Sequence, residues 1–156
     1  MSRVEAAKGL VNFIRHYAFA PGEKLSIVGH SHSGNVGIAA VNMGLGRAVD
    51  NFVTLGTPVT PSYRLQEPTA IRNWVHLINL FDGVQVRGGG NDESPLQVGP
   101  AARTQPYALN VYWNVDNGPT GSHGVLHTPE AWDRVLPYLD INEPCRFERS
   151  FYWVSR

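Results

Sequence analysis

One segment of this sequence, residues 25–43, constrains the fold more than any other. It reads LSIVGHSHSGNVGIAAVNM: a short apolar run, a polar turn between glycines, and then a stretch dominated by small residues. An apolar run that is left through Gly29 is typical of a buried parallel strand. The small side chains of residues 35–43 predict a helix that lies very close to that strand and ends at Gly44. The segment therefore predicts a strand, a sharp turn and a helix in direct succession.

Periodicity elsewhere in the chain predicts three further strands and two further helices. An apolar stripe at helical spacing predicts a first helix that ends before Pro21. In the last predicted strand, apolar and polar residues alternate, so one of its two faces is less apolar than the other. We therefore expect this strand toward an edge of the sheet. Strands separated by helical segments predict an α/β fold, a mostly parallel sheet flanked by helices, in a single domain over residues 1–156. The further predicted elements are a helix over residues 4–18, strands over 52–55, 74–80 and 108–115, a glycine-rich loop over 87–95, and a helix that starts at Thr128 and runs to 139.

Composition narrows the classes of partner. The chain has thirteen basic and thirteen acidic residues and no run of lysine or arginine, so it lacks the charge pattern of a nucleic-acid binder. We expect a small, uncharged partner. No stretch approaches the roughly 20 apolar residues of a membrane span, and charged residues interrupt the first segment where a signal peptide would be apolar. These features predict a soluble, cytoplasmic protein, in which the lone Cys145 is a structural or incidental thiol rather than a nucleophile.

The turn between the first predicted strand and its helix carries a serine. A serine at such a turn is thrust above the carboxyl end of the strand, and the next backbone N–H points into the same space. Ser31 is therefore the predicted nucleophile, and the backbone N–H of His32 is a predicted oxyanion donor. Because a serine hydroxyl is a poor nucleophile at neutral pH, it also needs an imidazole to take its proton and a carboxylate to orient the imidazole.

Later positions supply the carboxylate and the imidazole. Asp82 follows the third predicted strand and a histidine follows the fourth, which gives the order Ser, Asp, His with each residue at the carboxyl end of a strand. Asp82 is the predicted acid, and Asp92 and Asp116 are the alternatives. His123 is the predicted base, because its Gly-Ser-His-Gly setting is flexible enough to lean over a site; His127 is the fallback.

The segment GHSHSGN resembles the GHSHGGN elbow of lipase-like and esterase-like α/β-hydrolases. The resemblance covers roughly residues 24–139 and continues with VTLGTP at 53–58, with Asp82-Gly83-Val84 and with the late histidine. One departure is that Ser33 replaces the second glycine of G-x-S-x-G. The resemblance implies a serine esterase or lipase that works through an acyl-enzyme without a cofactor. It also implies several strands and an oxyanion loop before the elbow, whereas one helix precedes it here, so we expect a truncated or minimal hydrolase.

Three functions remain open from the sequence. The first is the serine esterase, and the second is a non-catalytic, hydrolase-like module for binding or assembly. The third is a metal-dependent hydrolase in which His30, His32, Asp82 and His123 are ligands, although a supporting role for the two elbow histidines is favoured and no metal is expected. An elbow strand without preceding strands would be an exposed edge. Such edges are normally covered, so we expect self-association, most simply a symmetric dimer.

Overall fold

The computed structural model describes residues 2–89 and 99–140, which contain one parallel β-sheet. Its four strands lie in the order β1-β2-β3-β4, and every neighbouring pair is parallel, so all the carboxyl ends share one edge. The predicted α/β fold with a mostly parallel sheet is confirmed. The strands are β1 (Ser26–His30), β2 (Val49–Leu55), β3 (Ile71–Ile78) and β4 (Leu109–Tyr112).

Helices flank this sheet and connect its strands. The first begins with a capping box, in which the Ser2 hydroxyl accepts from the backbone N–H of Glu5 and the Glu5 carboxylate accepts from that of Ser2. Among the described residues, none of the helices is both long and apolar enough to cross a membrane. The α-helices are α1 (Arg3–His16), α2 (His32–Asn42), α3 (Gly83–Arg87), α4 (Gly118–Gly124) and α5 (Pro129–Val135), and single 3₁₀ turns lie at Pro61–Tyr63, Pro68–Ala70, Val125–His127 and Leu136–Tyr138.

The sheet is covered on both faces. Successive residues of β2 and β3 point to opposite sides, because side chains alternate along a strand. Phe52 and Trp74 pack with residues of α1 and α2 in one apolar cluster, whereas Val53 and Val75 pack with residues of α5 in another. Every residue of β2 is buried, as expected for an inner strand of a two-sided parallel sheet.

β2 begins three residues before the predicted strand over 52–55. Its early residues Asp50 and Asn51 are polar, but they are buried and their side chains form hydrogen bonds and an ion pair. The Asp50 carboxylate accepts from the backbone N–H of Leu25 at 2.8 Å and from the Arg72 guanidinium at 2.9 Å. A charged residue at this position breaks the apolar pattern that predicts a strand, although the residue is only 6% exposed.

Three other boundaries differ from the predictions, each for a local reason. β3 covers Ile71–Ile78 rather than 74–80, because the chain turns at Asn79. β4 is an edge strand, as predicted, but it ends at Tyr112 because its partner β3 ends there in register. Leu109, an apolar residue of β4, is 49% exposed. The helix predicted to reach residue 139 ends earlier, as a 3₁₀ turn containing Pro137 follows α5.

Helix α2 lies against the sheet as closely as its small residues predict. A β-carbon added at Gly37 would lie 2.7 Å from two ring carbons of Phe52, a distance that real β-carbons do not reach. Phe52 itself is completely buried, so its ring has no free space to move into. Glycine at position 37 therefore sets the spacing between α2 and β2.

We predict that Gly37→Ala destabilises the protein by about 1–3 kcal/mol, because the added methyl group overpacks the contact with Phe52. Gly9→Ala is the matched control: Gly9 lies inside α1, and an added β-carbon there meets nothing within 4 Å. Alanine in a helix interior should stabilise this control by about 1 kcal/mol. The measurement is the free energy of unfolding in urea, and equal stability of both variants would contradict the close packing of α2.

Candidate active site

Ser31 occupies a strained turn between the last residue of β1 and the first residue of α2. Its backbone has φ 55° and ψ −133°, and among the described residues it is the one non-glycine residue with positive φ. Its N–H donates to the carbonyl of Leu55 at 2.8 Å, which fixes the turn against the end of β2. A non-glycine residue held in such a region costs about 1–3 kcal/mol and is typical of functional sites.

The glycines around Ser31 show why the turn can be so tight. A β-carbon added at Gly29 would lie 2.6 Å from the backbone nitrogen of Gly34, and one added at Gly34 would overlap the Thr57 side chain. The closest approach therefore falls at Gly34, one residue after Ser33. This explains physically why serine is accepted at position 33, where the G-x-S-x-G pattern has its second glycine.

Asp82 lies directly after the turn that ends β3 and is completely buried. Its two carboxylate oxygens have different partners. Oδ1 accepts from the backbone N–H of Gln85 at 2.8 Å and so caps α3, as a turn aspartate would. Oδ2 accepts from Nδ1 of His123 at 2.6 Å, a length typical of a charge-assisted hydrogen bond. One oxygen thus fixes the carboxylate, and the other holds the imidazole.

His123 lies in helix α4, so the expectation of a flexible Gly-Ser-His-Gly loop is wrong. Helix α4 packs against α3 through Pro119, since a β-carbon added at Gly83 would lie 2.7 Å from that ring. The Ser122 hydroxyl accepts from the backbone N–H of Asn117 and closes the first turn of α4. The His123 side chain is 11% exposed, so packing around it fixes its position.

Gly56 connects the Ser31 turn to the Asp82–His123 pair. It follows Leu55, the residue whose carbonyl accepts from Ser31, and its own φ is 56°. A β-carbon at this position would lie 3.0 Å from Asp82 Oδ2 and 3.2 Å from His123 Nδ1. The structure therefore brings Asp82 and His123 into direct contact and places both beside the strand end that supports Ser31.

His30 packs between the two late histidines. Its ring centroid is 4.5 Å from that of His123 and 4.7 Å from that of His127. Its Nε2 lies 3.1 Å from the His123 carbonyl, which can only accept, so Nε2 carries the proton. Burial, followed by the charge of His123, lowers the pKa of His30 to about 4. His30 is therefore a neutral donor to the backbone of His123 near pH 7.

The fallback base and one alternative acid are exposed. The ring of His127 packs against that of His30, with 4.7 Å between centroids. Asp116 is exposed and its carboxylate accepts from the backbone N–H of Gly118, so it forms a turn. Asp92 and Cys145 lie outside the described residues.

His32 is the first residue of α2, where backbone N–H groups lack partners within the helix. This is the position that an oxyanion donor next to Ser31 requires. Within residues 2–89 and 99–140, no group of three or more histidine, cysteine or acidic side chains is arranged to hold a metal ion.

A buried polar network behind Asp82 was not predicted from the sequence. His76 is fully buried; its Nε2 lies 2.8 Å from the Arg103 carbonyl oxygen, and its Nδ1 lies 2.8 Å from the Thr54 hydroxyl and 3.1 Å from the Thr54 carbonyl oxygen. That hydroxyl in turn accepts from Trp74 Nε1 at 2.9 Å. The Arg103 guanidinium donates to the Asp82 carbonyl at 2.8 Å. These residues are far apart in sequence and form no motif.

The chain matches none of the protein-family models, curated proteins or solved structures with which it was compared. Its function therefore has to be inferred from its own residues. The features that bear on chemistry are the strained serine turn, the buried Asp82–His123 pair and the neutral histidine packed beside them.

We predict that His76 makes the protein less stable as the pH falls from 6.5 to 4. Burial lowers the pKa of His76 to about 4, against 6.5 for a free imidazole, so between these values the unfolded chain binds a proton that the folded chain does not. Well above pH 6.5, His76 is neutral in both the folded and the unfolded chain, so its titration does not lower the free energy of unfolding there. His76→Gln, which keeps a donor for the Arg103 carbonyl, should reduce the slope by about 1 kcal/mol per pH unit.

The measurement is urea denaturation at several pH values. His16→Gln is the control, because it makes the same substitution at an exposed residue of α1. A His76→Gln variant with the slope of the parent protein would show that His76 does not titrate in the way its burial requires.

Proposed function

We propose that this chain is a serine hydrolase that cleaves uncharged carboxylic esters through an acyl-enzyme on Ser31. The observation that carries the proposal is the 2.6 Å hydrogen bond between buried Asp82 and His123, located beside the strained turn of Ser31. The resemblance of GHSHSGN to an esterase elbow supports the same chemistry. The balance of acidic and basic residues supports an uncharged substrate.

The Asp82–His123 contact fixes which nitrogen of the imidazole can act as a base. Because Nδ1–H donates to the carboxylate, Nε2 carries the lone pair and takes the proton of Ser31 as Oγ attacks the ester carbonyl. The carbonyl oxygen becomes an oxyanion, and in this proposal the backbone N–H of His32, at the start of α2, stabilises it. Buried Asp82 stabilises the imidazolium that forms.

Collapse of the tetrahedral intermediate breaks the bond to the alcohol, which leaves with the proton from His123 Nε2. The acyl group is then bonded to Ser31 Oγ. In the second half, His123 takes a proton from water as the water oxygen attacks the acyl carbon. The carboxylic acid leaves when the bond to Oγ breaks, and the proton returns from His123 to Ser31. No group beyond the chain and water is needed to balance these steps.

The test is labelling with a fluorophosphonate, which reports an activated serine without knowledge of the substrate. We expect one adduct by intact mass on the parent protein and none on Ser31→Ala. Asp82→Asn should slow labelling by about 10⁴-fold, because an asparagine stabilises the wrong tautomer. Ser33→Ala is the matched control, since it removes the neighbouring hydroxyl of the same turn and should label at the parent rate.

A second pair of variants identifies the base. His123→Ala should abolish labelling, whereas His127→Ala should retain it, because His123 binds Asp82 while the ring of His127 packs against His30. Folded parent protein that forms no adduct would contradict the proposal and favour a non-catalytic module with a hydrolase-like fold. Labelling that survives in Ser31→Ala would place the nucleophile elsewhere.

We also propose that the chain forms a symmetric dimer that covers β1. In the described part of the chain, β1 is an edge strand that pairs with β2 alone, and its edge presents backbone groups next to the Ser31 turn. Symmetric dimers are the commonest oligomers, and one formed through β1 would cover this edge. Light scattering should give twice the mass of the chain, and a monomeric mass at micromolar concentration would contradict this proposal.

A further inference from the structure

Asn79 occupies the junction between the two segments that present Asp82 and His123. It follows β3 directly, lies three residues before Asp82 and is completely buried. Its backbone carbonyl accepts from the N–H of Asp82 at 3.0 Å, which closes the turn that presents the carboxylate. The side-chain oxygen of Asn79 accepts from the N–H of Phe81 at 3.0 Å, within the same turn.

The side-chain nitrogen of Asn79 reaches the other segment. It donates to the carbonyl of Val115 at 2.8 Å and to that of Ser122 at 3.0 Å. Ser122 is the residue before His123 in α4, so this bond holds the backbone that carries the imidazole. A single buried amide therefore joins the acid turn to the base helix, independently of the bond between Asp82 and His123.

The three side-chain contacts of Asn79 need two donors and one acceptor on a short side chain. Aspartate has no donor and would bring its negative charge against two carbonyls, while serine has one hydroxyl on a shorter stem. Arg103 reinforces the acid side alone, since its guanidinium donates to the carbonyls of Asn79 and Asp82 at 2.9 and 2.8 Å. The Asn79 side chain contacts both segments.

We propose that Asn79 is a positioning residue that sets the distance between the Asp82 carboxylate and the His123 imidazole. The inference rests on the proposed function, because it assigns Asn79 a role in activating Ser31. Its physical basis is that a short charge-assisted hydrogen bond depends strongly on the placement of both partners. A displacement of about 1 Å in a catalytic group can lower a rate by roughly 10²-fold.

The experiment compares Asn79→Ser and Asn79→Asp with the control Asn114→Ala. Asn114 is an exposed residue whose side chain accepts from the backbone N–H of Leu80, in the same turn but without a bond to α4. One readout is the low-field proton resonance of His123 Nδ1–H, which reports its bond to Asp82. The other is the rate of fluorophosphonate labelling, and circular dichroism establishes that each variant is folded.

We expect folded Asn79 variants to lose the low-field resonance or show it shifted upfield, and to label about 10²-fold more slowly than the parent. The control should match the parent in both readouts. Folded variants that keep the resonance and the labelling rate would overturn the inference. If only Asn79→Ser folds, the resonance and the labelling rate of that variant test the inference.

Two further results separate this inference from the proposed function. A parent protein that shows no labelling contradicts the hydrolase, whereas the His123 resonance still reports whether Asn79 positions the pair. If neither variant folds, hydrogen exchange of the Asn79 side-chain amide in the parent decides. Slow exchange supports the two bonds to the α4 segment, and fast exchange overturns them.

Discussion

The buried carboxylate of Asp82 is the group around which the described structure is organised. An ionised carboxylate removed from water is costly unless hydrogen bonds and charge compensate it. Gln85 and His123 supply a donor to each oxygen, and Arg103 places its guanidinium against the carbonyl of the same residue. The hydrogen bonds to the Asp82 carboxylate bring together the end of β3 and the helices α3 and α4. The fold around the site is thus determined by a polar requirement as much as by its apolar clusters.

The Ser31 turn imposes a second constraint, which acts on the backbone. Its positive φ lowers stability, and the neighbouring chain compensates by bringing strand and helix together at Gly29 and Gly34. The hydrogen bond from Ser31 to Leu55 then ties the turn to β2, while Gly56 leaves room for His123. The strain and the polar pair therefore meet at one strand end, which is the arrangement that the proposed chemistry needs.

The sequence predicts the local parts of this arrangement well and the long-range parts poorly. The strand, turn and helix around Ser31 follow from residues within a single segment, and parallel strands bring Asp82 and a late histidine to the same edge. Helix α4 was not predicted, because its glycines and proline have low helix propensity and packing of Pro119 on Gly83 overrides it. The bonds of Asn79 join residues more than thirty positions apart, and such pairs leave no periodic signal.

The position of β1 at an edge of the sheet links assembly to the proposed chemistry. Asp82, His123 and Gly56 lie toward the strands on one side of Ser31, where β2 and β3 hold them. The other side of the Ser31 turn borders the edge of β1, and the proposed chemistry would require a second oxyanion donor to approach there from a neighbouring element. Loss of one such donor typically lowers turnover by about 10²–10³-fold. In the proposed chemistry, whatever covers β1 would therefore affect the rate of acyl transfer without changing the Asp82–His123 pair.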